Sequence, residues 1–171
     1  MLYHGSVIDG LTTIWAKSKS HVSGEPVAYF TLDRVYALVC CRKRTENFVT
    51  MGPDKNGKQH YYERFPDQLK VMYAGRDGYL YTSVSEEGLV RTKGNSFESV
   101  MDVPVTLFEH VTDVYAEVLK EERAGNVIVH RYADIDPEEQ RQMILSIREE
   151  WKRGEFAEYS DFVYEHFSPL W

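Results

Sequence analysis

The reading of the fold turns on VAYFTLDRVYALVCC, residues 27–41. Val27, Tyr29, Phe30 and Thr31 are residue types that pack well on a pleated, half-buried surface, so 27–31 reads as a strand. Thr31 or Asp33 can then accept the first free N–H groups of a helix. That helix is expected to run through RVYALVCCRKR, residues 34–44. Val35, Leu38 and Val39, with Arg42, lie along one side. The basic residues fall in the last turn, where the helix dipole favours them. Strand, cap and helix therefore follow one another without slack.

Upstream, LYHGS (2–6) reads as a strand entering a turn, with His4 beside a glycine that permits close backbone approach. AKSKSHVSGEP (16–26) reads as a loop. Downstream, ENFVT (46–50) and HYYERF (60–65) read as two strands joined by the breaker-rich turn MGPDKNGKQ (51–59). Pro66 starts a short helix that buries Leu69, Met72 and Tyr73 and ends at Gly75. GYLYTSV (78–84) alternates, with Tyr79 and Tyr81 on one face and Leu80 on the other. Two further extended pieces follow, punctuated by Gly88, Gly94 and Asn95, and then the strand VPVTLFEHV (103–111).

From there the chain is mainly helical. Thr112 or Asp113 caps VYAEVLKEERA, with Val114, Val118 and Glu121 along one ridge, and Gly125 closes it. NVIVHRY (126–132) is a last strand. Asp136-Pro137-Glu138-Glu139 is a strong helix start, and Met143, Ile144, Ile147 and Trp151 form the apolar face behind it. A final aromatic helix, FAEYSDFVYEHF (156–167), ends the pattern. The fold class is α+β, and residues 1–171 read as one domain, strand-rich over 1–111 and mainly helical over 112–171.

The composition narrows the functional classes. A chain of 171 residues with 43% hydrophobic and 27% charged residues can bury a real core. A net charge of −7 argues against a broad electrostatic grip on nucleic acid. The two cysteines, Cys40 and Cys41, are adjacent and poorly placed to bond each other. With no secretory signal in view, two free thiols point to the cytoplasm. The apolar runs are too short for a membrane span. The histidines are scattered and no CxxC or HExxH occurs, so no metal site is expected.

Two stretches in order, LYHGS and VAYFT running into a helix with YALVC, resemble the ADP-ribosyltransferase superfamily. The resemblance is to the branch that includes poly-ADP-ribose polymerases and diphtheria-type toxins, and it covers motifs within 1–111. It implies a split β-barrel of two small antiparallel sheets around an NAD cleft, with helices at the C-terminal end. His4 matches the histidine that bonds a ribose hydroxyl, and Ser6 the small hydroxyl residue beside it. Gly5 would leave room for the ligand against the backbone. Tyr29 matches the tyrosine that stacks on nicotinamide. The family's second aromatic falls near Cys40, a departure from the pattern, with Tyr36 one turn earlier. The glutamate near the start of a later core strand is matched best by Glu98, in NSFESVMDVPV, and next by Glu109, in TLFEHV.

The implied chemistry suits these residue types. Breaking the nicotinamide–ribose bond builds an oxocarbenium-like transition state. The Glu98 carboxylate can stabilise that charge and hold the 2′-hydroxyl, and an aromatic face at Tyr29 can hold a flat cation. NAD enters as a substrate, and the acceptor of ADP-ribose is left open. The alternatives are a non-catalytic binder of ADP-ribose or another nucleotide, and a protein-interaction domain using the aromatic last helix. A phosphotransferase of the same superfamily would want basic residues at the cleft, and none stands beside His4. Each candidate also has a structural explanation: His4 and Tyr29 as core, Glu98 as an edge charge, the CRKR run (41–44) as a solvated helix end.

Overall fold

The 27–31 run lies in β4 (Pro26–Thr31), which passes through Asp33 into α1 (Arg34–Val39). The Asp33 carboxylate accepts from Tyr36 N at 2.9 Å, as an N-cap should. These features belong to a computed structural model that describes residues 1–171. Before β4 come β1 (Tyr3–Ser6), β2 (Thr13–Ile14) and β3 (Ser18–Lys19). After α1 come β5 (Thr50–Pro53), β6 (Gln59–Tyr62), α2 (Gln68–Tyr73) and β7 (Gly78–Ser83). Next are β8 (Val90–Arg91), β9 (Ser96–Ser99), β10 (Val103–Val111) and α3 (Val114–Arg123). The chain closes with β11 (Val127–His130), α4 (Pro137–Lys152) and α5 (Ser160–Phe167).

The architecture is α+β, with two sheets and five α-helices. It departs from two small antiparallel sheets. One sheet has eight strands in the order β2-β10-β7-β1-β4-β9-β8, with β3 alongside β4, and it does not close into a barrel. The other has three, β11-β6-β5, and its β11–β6 pair is parallel. A parallel pair needs a long crossover, and the chain between residues 62 and 127, α3 included, supplies it.

The large sheet is two halves meeting at one point. β1 pairs with β7 over four residues and β4 with β9 over four. Between β1 and β4 the only backbone pair is Tyr3 with Thr31. Beyond it the two strands part.

Strand alternation sends side chains into two cores. The larger holds 21 buried residues, from Val35 to Phe167, and lies between α1, the small sheet and the C-terminal helices. The smaller holds Leu2, Ile14, Ala28, Phe30, Tyr81, Val103 and Val105 on the other face of the large sheet. As expected from alternation in β7, Leu80 enters the first core and Tyr81 the second. At about 25 cal/mol per Å² of apolar area removed from water, these cores are the main favourable term in folding.

Several expected boundaries move. α1 stops at Val39, short of the basic run. The Val39 carbonyl is instead taken by Tyr73 Oη at 2.6 Å and by Arg42 Nη1 at 3.2 Å, so Arg42 reaches the helix end from outside the helix. Strand 46–50 shifts to 50–53 because Phe48 is drawn against Phe156 and Phe167, with ring centroids 5.5 and 4.7 Å away. The last helix starts at Ser160, after a single 3₁₀ turn at Ala157–Tyr159. α3 ends where Gly125 adopts φ +79°, a left-handed conformation that favours glycine.

Candidate functional site

His4, Tyr29 and Glu98 lie on three neighbouring strands, β1, β4 and β9. Tyr29 and Glu98 are directly opposite each other across the β4–β9 ladder, so their side chains share a face. The Glu98 Oε2 accepts from Ser20 Oγ at 2.7 Å. The Tyr29 hydroxyl donates to the Lys19 carbonyl at 2.9 Å and accepts from His21 N at 3.2 Å. The His21 ring stands 6.3 Å from the Tyr29 ring, tilted by 36°. Burial, with the nearby Glu98 charge, raises the Tyr29 phenol above its usual range against the His21 N–H.

His4 sits where β1 and β4 part. Its Nδ1 lies 2.8 Å from the Tyr29 carbonyl oxygen. A carbonyl only accepts, so Nδ1 carries the proton and Nε2 is left as an acceptor. Burial pushes the imidazole down in pKa, against that bond, which favours the neutral ring. His4 pairs with Tyr81 and its ring leans on Phe30, 5.7 Å between centroids, so it belongs to the face of the smaller core. Tyr29 and Glu98 belong to the other. His4 thus touches the Tyr29 backbone and neither the Tyr29 ring nor Glu98.

The other candidates separate. Gly5 faces α1: a Cβ there would lie 1.8 Å from the Ala37 carbonyl oxygen. On that side a helix, rather than a ligand, takes up the room glycine leaves. Ser6 Oγ accepts from Ile8 N at 3.0 Å and closes a local turn. Tyr36 is half-buried on α1, and burial raises its pKa. Cys40 caps the end of α1. Cys41 is buried, and burial raises its thiol to about 12, so it is held as an inert thiol. Glu109 is committed elsewhere: both its oxygens bind Arg34, at 2.6 and 2.9 Å.

Ser20 and His21 were not among the residues singled out. They sit in a stretch that has no periodicity, and their contacts come from 8 and 78 residues away. The only local signal is the small polar cluster SHVSG, which forms a turn closed by Ser20 N to the Glu25 carbonyl at 2.8 Å. Two open cavities, of about 580 and 350 Å³, lie away from His4, Tyr29 and Glu98. The first is lined by residues 43–46, α2 and the C-terminal segment, the second by the start of α3. No helix is long and apolar enough to cross a membrane. No family model, curated protein or solved structure matches the chain.

Proposed function

We propose that the protein is ADP-ribosyltransferase-like, binds NAD where β1 and β4 part, and transfers ADP-ribose to an acceptor with release of nicotinamide. The observation that carries this reading is the placing of Glu98 directly across from Tyr29, with His4 held on the Tyr29 carbonyl one strand away. The motif order on the sequence becomes strand adjacency in the sheet. The meeting of the sheet's two halves at a single residue pair also supports the finer reading of a split barrel.

In this reading a dinucleotide passes through the parting, with one ribose at His4 on the smaller-core face and the nicotinamide half at Tyr29 and Glu98 on the other face. Neutral His4 offers Nε2 to a ribose hydroxyl. Tyr29 offers a half-exposed ring whose hydroxyl is pinned at its far end, so the ring is fixed before a ligand arrives. Glu98 offers a carboxylate beside it for the charge that grows at the anomeric carbon.

The test is release of nicotinamide from labelled NAD. Glu98→Gln should lower the rate about 100- to 1,000-fold, the usual loss when a preorganised electrostatic partner is removed. No release from the wild type at any NAD concentration rejects the transferase. A second reading, a non-catalytic binder of ADP-ribose, is favoured by Cys40 standing where the family places a second aromatic. A rise in Tm with ADP-ribose, and none of the nicotinamide signal, would decide for it.

A further inference from the structure

We infer that Ser20 is the positioning residue of Glu98: it holds Oε2 so that Oε1 alone faces a ligand hydroxyl. This rests on the reading of Glu98 given above. The side chain is built for that single task. Ser20 is 3% exposed although it lies in a surface hairpin. Its Oγ accepts from Val22 N and from Ser23 N, each at 3.1 Å. A hydroxyl has one proton and two lone pairs. Both lone pairs are taken, so the proton has one direction left, toward Glu98 Oε2 at 2.7 Å. The same saturation argues against Ser20 as a nucleophile: a lone pair free to attack is what it lacks.

The hairpin that carries Ser20 is fixed to the site at several points. β3 pairs with β4 through Ser18–Val27 and Lys19–Pro26. The Gly24 N–H returns to the Ser20 carbonyl at 3.0 Å. Lys19 and His21, on either side of Ser20, grip the Tyr29 hydroxyl. One short turn therefore sets both the tyrosine ring and the glutamate carboxylate. With Oε2 held by Ser20, Oε1 is the oxygen left to meet a ribose hydroxyl beside the Tyr29 phenol.

The consequence can be measured without any turnover. In crystal structures of the full chain, Ser20→Ala should release the Glu98 carboxylate from its single rotamer, and kcat for nicotinamide release should fall about tenfold with KM for NAD little changed. Ser20→Thr, which keeps the hydroxyl, should restore both. If Ser20→Ala loses the hairpin, Ser20→Cys, near-isosteric with a weaker donor, should act in the same direction. A Glu98 carboxylate still held in the wild-type rotamer in Ser20→Ala or Ser20→Cys overturns the inference. A released carboxylate in a protein that neither binds nor cleaves NAD leaves Ser20 in place and rejects the ADP-ribosyl reading alone.

Discussion

Gly5 is where a single atom decides the packing. A Cβ there would meet the Ala37 carbonyl oxygen at 1.8 Å and its carbon at 2.8 Å, and both are backbone atoms that cannot swing aside. Gly5→Ala must therefore push α1 off β1. The expected loss is about 3 kcal/mol, the upper end for overpacking a core, read from the midpoint of a urea unfolding curve. A midpoint equal to that of the wild type would mean the helix rides further from the strand than described. The need for a small residue at position 5 was legible in the sequence. What presses on it was not, because Ala37 lies far along the chain.

At the scale of elements, Arg34 shows how far local reasoning reaches. It opens α1, where a cation faces the positive end of the helix dipole. Nothing nearby in sequence offsets that. In space Arg34 meets Glu109 of β10 and Glu117 and Glu121 of α3, at 2.6, 2.9 and 2.6 Å. The Glu109 bond, with the other carboxylates, raises the guanidinium pKa. Burial pushes the Glu117 carboxyl up, but the Arg34 and Lys120 bonds together hold it low. Arg34→Met would leave three carboxylates facing one another. The groups are partly solvated, so the expected loss is about 2 kcal/mol, below that for a fully buried pair. It should shrink in high salt, which screens the remaining repulsion. Equal losses at low and high salt would show that packing of the arginine stem matters more than charge. Glu121 was expected on an apolar ridge of its helix. It does lie on the inward side, as a partner for Arg34.

For the whole molecule, the histidines set the response to acid. Burial lowers the pKa of His4, His130 and His166 below the ordinary value near 6.5. Each binds a proton more readily in the unfolded chain than in the folded one. Their contribution to stability is therefore complete above pH 6.5 and is lost as pH falls through that value toward the lowered ones. Tm should decline between pH 7 and pH 5, before most carboxylates titrate. A flat Tm across that window would show that these rings are as well solvated folded as unfolded. His130 adds a further element to the response. Its Nε2 lies 2.8 Å from His60 Nδ1, a bond that one shared proton makes and a second breaks.

The sequence by itself determined the short-range structure. Alternation placed Leu80 and Tyr81 on opposite faces of β7, Asp136 capped α4, and Gly125 stopped α3; for α1 and α3 the cap was narrowed to Thr31 or Asp33 and to Thr112 or Asp113, and the aspartate serves in both. Each of these needs only neighbours within a turn or a pleat. A resemblance in two short motifs singled out His4, Tyr29 and Glu98. Tertiary structure alone decided that β4 lies between β1 and β9, that the sheet parts after Tyr3–Thr31, and that Ser20 holds Glu98. The reason is physical. Caps and alternation are set by the geometry of a few consecutive residues, whereas strand order and the bonds of a loop serine depend on segments brought together only when the cores close.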